Sequence, residues 1–147
     1  LETKAYKRPE SVLVVVYAGS GEVLLMERAH PAGFWQSVTG SLEWGEDPRT
    51  AALREVLEET GLDVAAALVD CAVQNRFTIL PAWRARYAPD VDTNLEHVFT
   101  ARLDAPVGVT LDPQEHRRAR WLPRDEALEL ASSETNRAAI KALPIFD

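Results

Sequence analysis

Ser11 to Ala18 (SVLVVVYA) is an unbroken apolar run rich in β-branched residues, which predicts a strand buried on both faces. Gly19-Ser20-Gly21-Glu22 supplies turn chemistry and Val23 to Met26 a second strand, so the pair predicts a hairpin. From Thr39 to Glu46 the apolar positions hold no period and two glycines intervene, the pattern of a loop. A helix follows. Asp47 caps it, Pro48 takes the first helical position, and Gly61 stops it. Leu53, Val56, Leu57 and Thr60 recur within it at i, i+3, i+4 and i+7 and predict an apolar stripe.

Beyond Gly61, strand character recurs in Leu62–Val64, Ala67–Phe77, Trp83–Tyr87, Glu96–Leu103 and Arg118–Leu122, with Cys71 reading as core. Polar loops fall at Pro89–Asn94 and Asp112–His116. Arg124–Leu130 and Ser133–Leu143 predict two further helices, the second capped by Ser133. This order predicts an α/β fold, a mixed sheet sandwiched between helices, in one domain over residues 1–147.

A chain of 147 residues suits one core that buries about 70% of the unfolded surface. With 23 acidic against 16 basic residues the net charge is −7, which excludes a nucleic-acid polymer as the main partner. A small phosphorylated ligand stays open, provided a cation bridges the two. The longest apolar run is far short of the roughly 20 residues of a membrane span, so no membrane partner is expected. The lone cysteine and the lack of a leader pattern point to the cytoplasm.

At about 100° per residue, Glu55, Glu58 and Glu59 share one sector of the helix, roughly opposite the predicted stripe. Like charges so spaced cost a few tenths of a kcal/mol per pair, roughly, and Arg54 offsets them in part. By themselves three glutamates are most simply a solvated face. A hard divalent cation with phosphate oxygens completing its shell is the functional alternative. What favours the cation is the frame around them: Gly40, Glu46 and Gly61 stand at fixed spacings from Arg54-Glu55 and Glu58-Glu59.

That frame resembles the signature of the Nudix hydrolases, G-x5-E-x7-R-E-U-x-E-E-x-G-U with U aliphatic. Gly40, Glu46, Arg54, Glu55, Val56, Glu58, Glu59, Gly61 and Leu62 meet every specified position. The resemblance implies the Nudix fold and hydrolysis of a phosphoric anhydride with Mg²⁺, or Mn²⁺, as cofactor. It implies Glu55, Glu58 and Glu59 as metal ligands, the Gly40 carbonyl in the same shell, and Glu46 as an outer or water-mediated ligand. Arg54 would orient these carboxylates.

Outside the box, Tyr6-Lys7-Arg8-Pro9, Phe34 to Gly40, Arg86-Tyr87-Ala88-Pro89 and Trp121-Leu122 resemble a bacterial folate-pathway branch of the family whose substrate is a pterin triphosphate. On that resemblance Lys7, Arg28 and Thr39 would contact substrate. Phe77, Thr78, Ile79 and Leu80 would line the ring, and Ser133 would contribute from the last helix. Glu115 would complete the metal site or serve as base. A nucleoside triphosphate as substrate, and a non-catalytic nucleotide-sensing module, stand as the alternatives. His30, His97 and His116 lack metal-ligand spacing and receive no role. Trp35, Trp83 and Trp121 read as core or interface, and Trp44 as an exposed residue at an entrance.

Overall fold

The computed structural model describes residues 6–145. The first strand, β1 (Glu10–Ala18), is buried from Ser11 to its end, as its composition predicts. Its even-numbered valines, Val12, Val14 and Val16, enter one core with Leu24, Met26 and Phe99. Val15 and Tyr17 enter a second core on the opposite face. A strand covered on both faces can dispense with alternation.

Among the described residues seven strands form one mixed sheet. β2 (Glu22–Arg28) meets β1 antiparallel at Tyr17↔Val23. β3 (Trp35–Gln36) lies beyond β2, while β4 (Val38–Ser41) pairs antiparallel with β1 from Ser11 to Val14. β1 therefore gives one edge to β2 at its end and to β4 at its start. β6 (Thr93–Leu103) runs parallel along its other edge, and β5 (Leu68–Thr78) borders β6. β7 (His116–Pro123) pairs with β2. Among the described residues no helix is long and apolar enough to cross a membrane.

Helix α1 (Pro48–Thr60) covers the first core, and α2 (Arg124–Leu130) and α3 (Glu134–Lys141) cover the second. The α1 boundaries follow the predicted chemistry. The Asp47 carboxylate accepts from the Thr50 N–H, a cap that stabilises by about 1 kcal/mol, and Gly61 closes the helix at φ 77°. Ser133 caps α3 in the same way, accepting from the Asn136 N–H.

Five details correct the sequence expectations. The buried face of α1 is Ala51, Ala52, Val56, Glu59 and Thr60, while Leu57 is 55% exposed. Val56 and Thr60 of the predicted stripe are buried and Leu53 packs against the same core, but Ala51 and Ala52 take the place expected of Leu57, their small size letting the helix lie close to the sheet. Trp83–Tyr87 is not a strand; Pro81 starts a 3₁₀ helix over Pro81–Arg86, since it cannot donate to a ladder. Thr39–Ser41 joins the sheet as part of β4. Leu62–Val64 forms no strand. Cys71 is half-buried instead of core, at a bulge between Asp70 and Val73 where Ala72 has φ 56° and its N–H donates to the Asp70 carboxylate.

Candidate active site

α1 faces β4 across the mouth of a cleft of about 1130 Å³. Seven positions separate Ala52 from Glu59, two turns of helix, so Glu59 continues the buried face. It is 6% exposed, whereas Glu58 lies on the open side. The acidic sector thus overlaps the packed face at one edge instead of opposing it. Burial first, and then the neighbouring Glu55 carboxyl, hold Glu59 well above the usual carboxylate range. Glu59 Oε1 is buried without a hydrogen-bond partner.

Arg54 organises the mouth. Its Nε and Nη2 donate to the two Glu46 oxygens at 2.8 Å each, and Nη1 donates to Glu55 at 2.8 Å and Glu58 at 3.3 Å. Nη2 also reaches the Ser41 carbonyl at 3.1 Å, tying helix to strand. The Glu46 hydrogen bonds raise the guanidinium further above its already high value, and the same bonds lower the Glu46 carboxyl. Gly40 faces Glu55 directly: a Cβ there would land on the Glu55 carboxyl, so only glycine leaves this carboxylate its place.

The remaining walls come from distant segments. The Asp112–His116 loop brings Glu115 to the cleft, pinned where its carbonyl accepts from the Ala29 N–H at 2.8 Å. Lys7, Arg28 and Arg86 also line the cleft, close enough for Glu115 to act on Lys7 and Arg28. Crowding by the protein lowers the Lys7 ammonium pKa, and Arg86 lowers it further, although the side chain stays accessible. The Arg28 guanidinium lies 5.2 Å above the Trp83 ring, which meets Phe34 edge-on at 6.3 Å.

The structure brings most of the predicted residues together. Lys7, Arg28, Thr39, Gly40, Arg54, Glu55, Glu58, Glu59, Phe77, Thr78, Ile79, Leu80, Glu115 and Ser133 all line the cleft. Glu46 does not; both its oxygens are spent on Arg54 behind the wall. Trp44 is exposed at the rim, its indole donating to the Tyr6 carbonyl at 2.9 Å. Sequence reading missed His116, Trp83, Arg86, Asn94 and Glu96, which also line it. His116 is buried 3.7 Å from Glu59 Oε1 and its pKa is lowered, first by burial and then by Arg28. The Arg28↔His116 register of β2 and β7 places it there, and that register is invisible without the fold.

Residues 7–143 match the NUDIX domain family. The chain belongs to the Nudix family. It is 42% identical to the dihydroneopterin triphosphate diphosphatase of Escherichia coli (strain K12), over 99% of this chain and 98% of that one. The Haemophilus influenzae protein of the same name is 38% identical over 92% of this chain and 87% of its own. The solved structure of the E. coli dihydroneopterin triphosphate pyrophosphohydrolase superposes with a TM-score of 0.86 at 43% identity, covering 94% and 96% of the two chains. Nudix hydrolases use divalent cations, and two features here fit one. Glu59 Oε1 lacks a partner, and Gly40 is bare where Glu55 sits. Among the described residues no three acidic, histidine or cysteine side chains close into a finished cage. Arg54 instead holds Glu55 and Glu58 side by side.

Proposed function

We propose that this Nudix hydrolase converts dihydroneopterin triphosphate to the monophosphate and pyrophosphate. Identity of 42% across nearly the full length of both chains, to a relative named for that activity, carries the reading. Water is consumed, the anhydride between the first and second phosphates breaks, and pyrophosphate departs.

Glu55, Glu58, Glu59 and Glu115, with the Gly40 carbonyl, would hold the cation, Mg²⁺ in preference to Mn²⁺. When bound it neutralises phosphate oxygens and acidifies water. Arg54 and Glu46 fix the carboxylates in place. Lys7, Arg28 and Arg86, which line the same cleft, take polyphosphate oxygens, so the chain's own charges orient the anhydride beside the glutamates. Thr39 of β4 lines the cleft beside the glutamates, where its hydroxyl can reach the substrate. Phe77 to Leu80, with Ile79 fully packed, and the Ser133 end of α3 border the space left for the ring.

Incubation of the purified chain with dihydroneopterin triphosphate and Mg²⁺ tests this. Equal amounts of monophosphate and pyrophosphate are expected, with kcat/KM above that for dATP. Release of orthophosphate alone, or a clear preference for dATP, overturns it. Mn²⁺ in place of Mg²⁺ at the same concentrations decides the cation preference.

A further inference from the structure

Past the glutamates the cleft continues into a recess between β1, β6 and the start of α3. Ser11 of β1 lies in register with Glu96 of β6, so both side chains project from one face of the sheet, with Asn94 two positions before Glu96. All three line the cleft, yet Asn94 and Glu96 are 3% and 5% exposed. Asn94 Nδ2 donates to Ser11 Oγ at 2.7 Å, which leaves Asn94 Oδ1 buried with no partner. Glu96 Oε1 accepts from Asn75 Nδ2 at 3.2 Å, and Thr135 at the start of α3 stands near this carboxyl. Among the described residues no cation pairs with it.

A carboxylate has about four acceptor positions, so at least two remain on Glu96. A network built only to brace the sheet would satisfy Asn94 Oδ1 as well. Two acceptors short of donors, on one wall of a substrate cleft, call for a ligand edge rich in N–H groups.

We propose that Glu96 and Asn94 determine specificity by accepting hydrogen bonds from the N–H edge of the substrate's 2-amino-4-oxopteridine ring. This rests on the reading of the substrate given above. The 2-amino group and the adjacent ring N–H are two parallel donors, a fork that matches the two oxygens of one carboxylate. Asn94 Oδ1 takes a further N–H of the same ring. Adenine offers one amino donor beside an acceptor nitrogen, which would face a Glu96 oxygen lone pair to lone pair. A 2-oxo pteridine makes the same mismatch. The metal-type glutamates therefore act on the phosphates, and this pair chooses the ring.

The experiment compares kcat/KM for dihydroneopterin triphosphate, its 2-oxo analogue and dATP on the unmodified chain and on Glu96→Gln. The unmodified chain is expected to favour the 2-amino ring over the 2-oxo ring by about 100-fold. Glu96→Gln should lose about 100-fold on the pterin substrate, mainly through KM, with dATP changed less than about threefold. Equal losses on pterin and dATP, or no discrimination between the two pteridines by the unmodified chain, overturn the proposal. The second comparison needs no variant and stands even if Glu96→Gln fails to fold. Should the pterin triphosphate not be cleaved at all while dATP is, the substrate reading fails. Calorimetric binding of dihydroneopterin itself then decides the recess separately: weaker binding to Glu96→Gln supports the pair, and equal or absent binding to both proteins overturns it.

Discussion

The two ends of the cleft are built on different principles. At the mouth, Arg54, Glu55, Glu58 and Glu59 come from little more than one turn of α1, and their partners Gly40, Ser41 and Glu46 lie just before it. In the recess, Ser11, Asn94, Glu96 and Asn136 come from β1, β6 and α3, and meet through strand register and helix docking. The mouth concentrates like charge and spends stability to hold it; the buried side chains of the recess are neutral but for Glu96 and are knitted by hydrogen bonds. Chemistry on a polyphosphate needs the first arrangement, and selection of a ring needs the second. Damage at the mouth should thus appear in kcat, and damage in the recess in KM and stability.

The largest expected effect breaks the comparison if it fails. Glu59→Gln should lower kcat at least about 1,000-fold with any divalent cation. Burial and Glu55 raise the Glu59 pKa, so its charged form is a cost in the fold, and a neutral amide of the same shape removes that cost. Tm is therefore expected to hold or rise while activity vanishes. A stable variant that keeps its turnover would remove Glu59 from the chemistry. Gly40→Ala is next. The new methyl must displace the Glu55 carboxyl, costing about 1–3 kcal/mol of stability and about 100-fold in kcat through misplacement. Thermal melts beside initial rates separate the two costs, and an unchanged kcat would mean that Glu55 is free to move without consequence.

The same division explains what could be read from the chain. Asp47, Pro48 and Gly61 bound α1 as predicted, because caps act over three or four residues. The box residues were legible for the same reason. The exact turn of the helix was legible only in part: Val56 and Thr60 of the stripe are buried and Leu53 packs against the core, yet the packed face is shifted toward Ala51 and Ala52 and leaves Leu57 outward. That choice belongs to the sheet, as does the burial of Glu59. Trp83 reads as a strand residue by composition, and Pro81 overrides it. His116, Asn94 and Glu96 carry no local signal at all. Their placement depends on pairings between residues dozens of positions apart, which propensity does not encode.

Asn136 sharpens the recess side of the comparison. Its Oδ1 accepts from the Ser37 N–H at 2.8 Å and its Nδ2 donates to Ser37 Oγ at 2.9 Å, both away from water. Asn136→Ala leaves the Ser37 groups unsatisfied and should cost about 2–3 kcal/mol, a Tm loss of several degrees. The start of α3 loosens with it, so KM for the pterin substrate should rise while kcat stays within about threefold. A collapse of kcat as deep as that of Glu59→Gln would show that the two ends are not separable.

The smallest effect concerns a seam outside both ends, where Glu27 joins β2 to β7 and to the turn before β3. The Arg118 guanidinium donates to Glu27 Oε1 at 2.6 Å and the Gly33 N–H to Oε2 at 2.6 Å, and together they hold the carboxyl below its ordinary value. A carboxyl with a depressed folded pKa contributes stability in full above its unfolded pKa of about 4.3, and loses it as pH falls through the lower folded value. Glu27→Gln cannot titrate. The Tm gap between the unmodified chain and this variant should therefore be constant from pH 7 to about pH 5.5 and shrink below about pH 4.3. This seam carries the loop that brings Glu115 to the cleft but neither the α1 glutamates nor the recess, so any fall in kcat at pH 7 should run through Glu115 and stay far smaller than that of Glu59→Gln. A gap that persists undiminished into acid would mean that Glu27 contributes by shape and not by charge, and that the β2–β7 seam rests on its backbone ladder and packing.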